Sequence, residues 1–144
     1  MATKKATKKT TTKKATKRVT SPPFPEHPDW TTAKFWSYIR SGLRSKWMRW
    51  PPRYKVLELA RRKSLSPNKR LKYEFQCALC ENWFPRDDVE VDHIEACGKL
   101  QRYEDLPGFV KRLFVGVDKL RVLCKQCHRH TTQKSKEMKN DQGT

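Results

Sequence analysis

Four cysteines in the second half of the sequence stand at spacings that suit metal binding. Cys77 and Cys80 form one CxxC pair, and Cys124 and Cys127 form another. Thiolates three residues apart suit a turn around one ion, and two such turns fill the four positions of a tetrahedral Zn²⁺ site. The pattern predicts one structural zinc ion that joins the ends of the intervening segment. The alternative, four unliganded core cysteines, fits the paired spacing less well.

Two histidines and an aspartate lie between and beside these pairs. Asp92 and His93 are adjacent, and His128 directly follows Cys127. An imidazole titrates near neutral pH and can act as a general base, whereas carboxylate oxygen is a ligand that Mg²⁺ prefers. Neighbouring residues on a helix diverge by about 100°, so His128 can face a cleft while Cys127 faces the zinc ion. The structural alternative for Asp92 and His93 is a buried pair that satisfies hydrogen bonds at a strand end.

Strands and a terminal helix must position these residues. We expect strands around residues 73 to 77 and 89 to 94, and a further apolar run at 120 to 123 leads into Cys124. Consecutive side chains of a strand point to opposite faces, so Asp92 and His93 can line one site only if the strand bends. A short helix is expected near 106 to 114, and a polar terminal helix is expected to reach about Lys139.

Two basic helices are predicted before the cysteines. Apolar residues recur at every fourth position from Phe35 to Trp47, and Pro51 and Pro52 end that pattern. A second short helix then runs from Pro52 to Arg61, Arg62 and Lys63. Arg40 and Arg44 form a basic stripe on the first helix, which either contacts phosphate or is simply solvated. The tryptophans of this region are interpreted as core residues in preference to base-stacking platforms.

Charge and composition restrict the class of partner. The chain carries 33 Lys and Arg against 15 Asp and Glu, a net charge of +18, which indicates a polyanion, with nucleic acid first and acidic membrane second. No apolar run approaches the roughly 20 residues of a membrane span, and no apolar segment follows the basic N-terminus. We therefore expect an intracellular protein that is neither secreted nor inserted. Cys97 has no obvious partner and is interpreted as a free thiol.

The N-terminal residues read as a low-complexity basic arm. Residues 1–20 repeat a short Thr- and Lys-rich unit with almost nothing apolar, so they cannot offset the entropy of ordering and are expected to be disordered. The arm either contacts DNA phosphates without sequence preference or acts as a solubilising tail. Its cations are Lys4, Lys5, Lys8, Lys9, Lys13, Lys14, Lys17 and Arg18. Residues 21–30 are Pro-rich and are expected to form an extended linker in which His27 is exposed.

Three motifs carry a family resemblance. CALC at 77–80, VDHI at 91–94 and LRVLCKQCH at 120–128 occur in this order, and together they resemble the HNH endonuclease family, in particular the small zinc-stapled type common in phage genomes. The resemblance covers residues 73 to about 134. It implies an α+β fold whose zinc-stapled ββα-metal core is preceded by the two basic helices and the arm.

The resemblance also implies roles for individual residues. His93 would be the general base, and Asp92 and His128 would hold a catalytic Mg²⁺ or Mn²⁺ ion, with Ni²⁺ or Co²⁺ also tolerated because of the imidazole ligand. The family asparagine that orients the histidine falls at Lys119, beside Asp118. Either the backbone there suffices, Asp118 substitutes, or catalysis is weakened, since lysine cannot accept a hydrogen bond. His130 is a possible substitute zinc ligand.

These observations predict a domain plan and a function. We expect a basic arm at 1–20, a linker at 21–30, a basic helical segment at 31–66, an HNH nuclease domain at 67–139 and a frayed tail at 140–144. The predicted function is metal-dependent cutting or nicking of duplex DNA in the cytoplasm of a bacterial host, with no membrane partner. The alternatives are a non-catalytic zinc-stabilised DNA-binding protein, or a phage packaging or assembly factor that cleaves only with a partner; phage replication proteins are further possible partners.

Overall fold

The computed structural model describes residues 22–141. The predicted basic arm with its lysines, and the last three residues of the predicted tail, lie outside the described residues. Within the described part the chain is mixed α+β, as the sequence predicts, with four α-helices and three small antiparallel sheets. No helix in this part of the chain has the length and apolar character needed to cross a membrane.

The predicted linker is a packed hairpin. Strands β1 (Pro23–Phe24) and β2 (His27–Thr31) pair antiparallel. Phe24 is buried and stacks on Phe35 with ring centroids 3.9 Å apart. An extended linker was therefore the wrong expectation for these residues, because one aromatic side chain in the Pro-rich stretch finds an apolar partner on the following helix. His27 is exposed, as expected.

The first helix buries a tryptophan against the short third helix. Helix α1 (Thr32–Trp47) begins at Thr31, whose hydroxyl accepts a hydrogen bond from the Lys34 amide, a common way to satisfy a free N–H at a helix start. Trp36 packs with Leu100 and with two residues of α3 (Leu106–Leu113), Phe109 and Leu113. Trp36 therefore belongs to the core.

The second helix is shorter than predicted. Helix α2 (Pro51–Ala60) ends at Ala60, and β3 (Arg61–Lys63) follows as a strand that pairs with β4 (Tyr73–Gln76). The helical prediction for Arg61, Arg62 and Lys63 was wrong because cross-strand partners favour the extended chain: Arg62 pairs with Glu74 at 3.2 Å. Strand β5 (Trp83–Phe84) completes this sheet. Its β3–β4 pairing crosses the predicted domain boundary between residues 66 and 67.

The last sheet leads directly into the terminal helix. Strands β6 (Val89–His93) and β7 (Leu120–Cys124) pair antiparallel, with His93 opposite Leu120 and Asp92 opposite Arg121. Val89 and Val91 pack on α2 and on the apolar face of β7. Helix α4 (Lys125–Asp141) begins without a connecting loop. Because strand and helix are continuous, the start of α4 is fixed relative to the sheet.

Candidate metal centre and active-site cleft

The two CxxC pairs come together as predicted. One sulfur atom from each of Cys77, Cys80, Cys124 and Cys127 lies within 4.8 Å of the other three. Cys77 follows β4, while Cys124 ends β7 and Cys127 lies in the first turn of α4. A backbone hydrogen bond of 2.8 Å from the Ala78 amide to β7 fastens the first pair to the second. This cluster could hold one metal ion.

The acidity of the thiols is divided unevenly within the cluster. Burial raises the pKa of Cys77, but backbone hydrogen bonds at Cys124 and Cys80 outweigh burial and lower that pKa to about 6. The pKa of Cys127 is raised to about 12, first by its side-chain hydrogen bond with Cys124 and then by burial. Four thiolates this close repel one another, and a divalent cation removes that cost. The donor set therefore suits a bound cation better than four free thiols.

A cleft of about 740 Å³ runs along the free edge of β6. All five residues of β6 line it, and none of β7 does. Within the described residues β6 pairs with β7 alone, so its other edge is open. Side chains from both faces of an edge strand can reach one groove. Asp92 and His93 therefore line the same cleft without the bend that strand geometry was expected to require.

His93 is oriented by a backbone carbonyl. Its Nε2 lies 2.8 Å from the carbonyl oxygen of Leu113, and its ring lies 4.7 Å from the ring of Trp47, centroid to centroid. A carbonyl oxygen only accepts, so Nε2 carries the proton in this contact. The lone pair of the neutral imidazole is then on Nδ1. This tautomer leaves one nitrogen available to take a proton from another molecule.

His128 lies between two carboxylates on the same face of β6. Its Nδ1 is 2.7 Å from Glu90 Oε2, and its Nε2 is 3.6 Å from Asp92 Oδ1. A carboxylate that accepts from Nδ1 fixes the ring and leaves Nε2 as a ligand nitrogen. Asp92 Oδ1 and His128 Nε2 thus form a facing oxygen and nitrogen pair of the kind that divalent ions use.

Arg121 holds the other oxygen of the same aspartate. Its Nε and Nη2 both lie 3.0 Å from Asp92 Oδ2. The two side chains are cross-strand partners, and each is only about one-fifth exposed. The ion pair positions the carboxylate so that Oδ1 points toward His128, and it also neutralises part of the negative charge there.

Asp118 and Lys119 do not reach His93 through their side chains. Both side chains are exposed, and within the described residues the hydrogen bond made by the His93 ring goes to Leu113. The carbonyl of Lys119 instead accepts a hydrogen bond of 3.0 Å from the amide of Ile94. Lys119 therefore contacts the end of β6 through its backbone.

The predicted basic stripe divides between two places. Arg44 lines the cleft, whereas Arg40 lines a separate pocket beside Trp36. In α4, the hydroxyls of Thr131 and Thr132 each donate a hydrogen bond to the backbone carbonyl one turn earlier, so both hydroxyl protons are used within the helix.

The two remaining thiol and imidazole candidates lie elsewhere. His130 lines a cavity beside the cysteine cluster and outside the cleft. Cys97 is a free thiol whose sulfur lies 3.6 Å from the Arg112 carbonyl, and burial raises its pKa.

Several cleft residues were not identified from the sequence. Glu90 carried a usable signal, because a residue two positions before Asp92 on a strand shares its face. Arg53, Arg86, Lys125 and Leu113 line the same cleft. They come from four different elements, and only the tertiary packing brings them together.

Comparison of the chain with protein-family models, with curated proteins and with solved structures returned no match.

Proposed function

We propose that this protein is a metal-dependent HNH endonuclease that hydrolyses DNA phosphodiester bonds. One observation carries the proposal: a single cleft holds His93, with Nδ1 free to accept a proton, and the Asp92–His128 pair, with facing ligand atoms 3.6 Å apart. The succession of β6, β7 and α4, in which β6 and the start of α4 line this cleft, supports a ββα-metal core.

The Asp92–His128 pair passes a simple test of fit for a catalytic divalent ion. Ligand distances to Mg²⁺ are about 2.1 Å, so two ligand atoms 3.6 Å apart are close enough to share one ion. Asp92 and His128 would hold Mg²⁺ or Mn²⁺, and the mixed oxygen and nitrogen donors would also accept Co²⁺ or Ni²⁺. When bound, the ion would supply neutralisation of the charge that develops on the phosphate and on the leaving 3′ oxygen.

His93 is proposed to act as the general base. Its Nδ1 accepts a proton from the water that attacks phosphorus, and the imidazolium that forms keeps its Nε2–H bond to the Leu113 carbonyl. That carbonyl both fixes the ring and stabilises its positive charge. The Trp47 ring packs beside the imidazole and limits its rotation.

The cysteine cluster is proposed to hold a structural Zn²⁺ ion. Four sulfur ligands leave no open coordination position, so the ion would not take part in hydrolysis. Cys127 and His128 are adjacent on α4, so a fixed Cys127 also fixes the rotation of the helix that presents His128. The staple would thereby keep His128 beside Glu90 and Asp92.

A second candidate is a non-catalytic zinc-stabilised DNA-binding protein. The ion pair between Arg121 and Asp92 favours it, because an arginine already satisfies one oxygen of the proposed ligand. In that case the cleft would bind DNA without cutting it. The two candidates differ in whether any divalent ion supports cleavage.

Cleavage of supercoiled plasmid in Mg²⁺ or Mn²⁺ tests the proposal. Replacement of the general base, His93→Ala, should lower the cleavage rate by about 100-fold or more. His27→Ala is the matched control, because His27 is exposed in the N-terminal hairpin and lies outside the cleft. Undiminished cutting by His93→Ala would overturn the mechanism. DNA binding without cutting by the wild-type protein in every divalent ion would favour the second candidate.

A further inference from the structure

The cleft has a cationic wall that the proposed base and metal ligands do not use. Four basic residues line it: Arg44, Arg53, Arg86 and Lys125. Within the described residues none of them lies in an ion pair. Of the three carboxylates that line the cleft, Glu90 pairs with His128 and Asp92 pairs with Arg121, while Asp87 forms no ion pair with another described residue.

Arg53 is the most unusual member of this wall. It lies in the first turn of α2, and its Nη1 donates to the Met48 carbonyl at 3.3 Å. Its Nε is buried and has no hydrogen-bond partner. A buried guanidinium N–H without an acceptor is costly, so a small side-chain shift that gives this group an anionic partner would be favourable.

Trp47 repeats the same feature beside it. The Arg53 guanidinium lies over the Trp47 ring, 5.2 Å from its centroid, and the indole Nε1 is also buried without a partner. Two neighbouring donors therefore lack acceptors. The Trp47 ring also contacts His93, with the two ring centroids 4.7 Å apart.

Arg86 completes the cationic wall from another element. It lies in a 3-10 turn at Arg86–Asp88, just before β6, and its Nη1 donates to the Val89 carbonyl at 3.1 Å. Burial, and then the positive charge of Arg86, lower the pKa of Arg53. The two guanidinium groups thus repel each other across a partly buried space, and a bound anion would relieve that repulsion.

We propose that Arg53 and Arg86 form an oxyanion-binding site for a phosphate group of the nucleic-acid backbone. Guanidinium groups bind phosphate oxygens through paired N–H donors, and both Arg53 and Arg86 line the cleft. This inference rests on the proposed endonuclease function. In that setting the cleft has a cation-binding side at Asp92 and His128, an anion-binding side at Arg53 and Arg86, and His93 beside Trp47.

The inference assigns Arg53 and Arg86 the role of holding a phosphate for attack. A phosphate bound at this wall is held by the positive charges of the arginines, away from the carboxylates of β6. Positioning of this kind affects the reacting complex and the transition state, so loss of Arg53 should lower kcat as well as raise KM. A solvated arginine on an exposed face would affect neither.

NMR of the wild-type protein tests the site without any variant. Inorganic phosphate, and separately a short DNA duplex, are titrated while the arginine Nε–H signals are followed, with chloride at equal ionic strength as the reference. The signals of Arg53 and Arg86 should move and saturate with both probes. The exposed Arg49, which lies outside the cleft, should respond only to ionic strength. Equal movement in chloride would overturn the inference, and so would movement with inorganic phosphate but not with duplex.

Variants then separate this inference from the endonuclease proposal. Arg53→Gln should lower kcat/KM for plasmid cleavage by about 100-fold, which is typical for loss of one charge-stabilising donor. Arg53→Lys should recover only part of this loss, because lysine lacks the paired donors, and Arg49→Gln should cut normally. Normal cutting by Arg53→Gln would overturn the inference and leave the endonuclease proposal standing. Saturable shifts with phosphate in a protein that never cuts DNA would support the phosphate site and overturn the endonuclease proposal.

Discussion

The imidazole of His128 has one nitrogen committed to Glu90 and the other directed at Asp92. Removal of the negative charge by Glu90→Gln should weaken Mn²⁺ binding by about 10- to 100-fold, because the amide oxygen can still accept from Nδ1 but no longer carries the charge that raises the basicity of the ring. Isothermal titration calorimetry with Mn²⁺ measures the effect.

Asp88→Asn is the matched control for that change. It also removes one carboxylate near the start of β6, but Asp88 is exposed and lies outside the cleft. Its Mn²⁺ affinity should stay close to that of the wild type. Equal losses in both variants would mean that net charge matters and that the contact with His128 does not.

Single residues also determine the proton balance of the cysteine cluster. Cys77 has a pKa of about 6 and is already a thiolate at pH 7, whereas the pKa values of Cys80 and Cys127 lie above the usual thiol range. Metal binds only thiolates, so uptake of Zn²⁺ at pH 7 should release at least two protons. Calorimetry in buffers of different ionisation enthalpy counts them.

The same values set the direction of the pH dependence. Below about pH 6 the Cys77 thiolate also protonates, so Zn²⁺ affinity should fall more steeply there than between pH 6 and pH 9. Cys97→Ser should leave the proton count unchanged, since Cys97 is not part of the cluster. Release of fewer than two protons by the wild-type protein at pH 7 would contradict this division of acidity.

Among the structural elements, the N-terminal hairpin is the one whose contribution to stability can be tested most directly. Phe24→Ala should lower the free energy of unfolding by about 3 kcal/mol, because it removes a buried aromatic ring that stacks on Phe35. Urea denaturation followed by tryptophan fluorescence provides the measurement. His27→Ala, in the same hairpin but exposed, should change stability little. An unchanged midpoint for Phe24→Ala would restore the interpretation of this segment as a linker.

Local pattern explains which elements could be predicted from the sequence. Apolar residues at every fourth position and a capping Thr31 indicate helix α1 in the sequence. The alternating Val89 and Val91 indicate strand β6. Strand β3 has no such signal, since Arg61–Lys63 are all basic and become a strand only through pairing with β4, about ten residues later. The extended backbone there is a tertiary effect.

The site divides in the same way. The motifs contained Asp92, His93 and His128, and the structure brings these three to one cleft. The acceptor for His93 could not be predicted, because it is a backbone carbonyl at the end of α3, 20 residues further along the chain. Every residue has a backbone carbonyl, so the residue type does not show which carbonyl will accept a hydrogen bond from His93.

For the whole molecule, the net charge of +18 predicts DNA binding that weakens steeply with salt. Residues 1–20 contain eight of the cations. Each phosphate contact contributes about −0.9 to the slope of log affinity against log salt, so deletion of these residues should reduce that slope by up to about 7. Fluorescence anisotropy with a labelled duplex at several salt concentrations measures the slope.

The same deletion should leave the thermal unfolding of the remaining chain unchanged, because the cores defined in the described part use no residue before Phe24. A full-length protein with its cations in place but a flat salt response would contradict phosphate-dominated binding. A collapse of the folded part on deletion would contradict the interpretation of residues 1–20 as a dispensable arm.

The pairing of β3 with β4 bears on how the proposed nuclease unit could be moved between proteins. A graft of residues 67–139 into another chain would carry the cysteines, Asp92, His93 and His128, yet it would leave behind the outer strand of a sheet and the Trp47 that packs on His93. The transplanted segment should therefore need a new strand and a new aromatic neighbour from its host. The residues that carry the HNH resemblance share their hydrophobic cores with helices α1 and α2, so the folded unit includes both N-terminal helices.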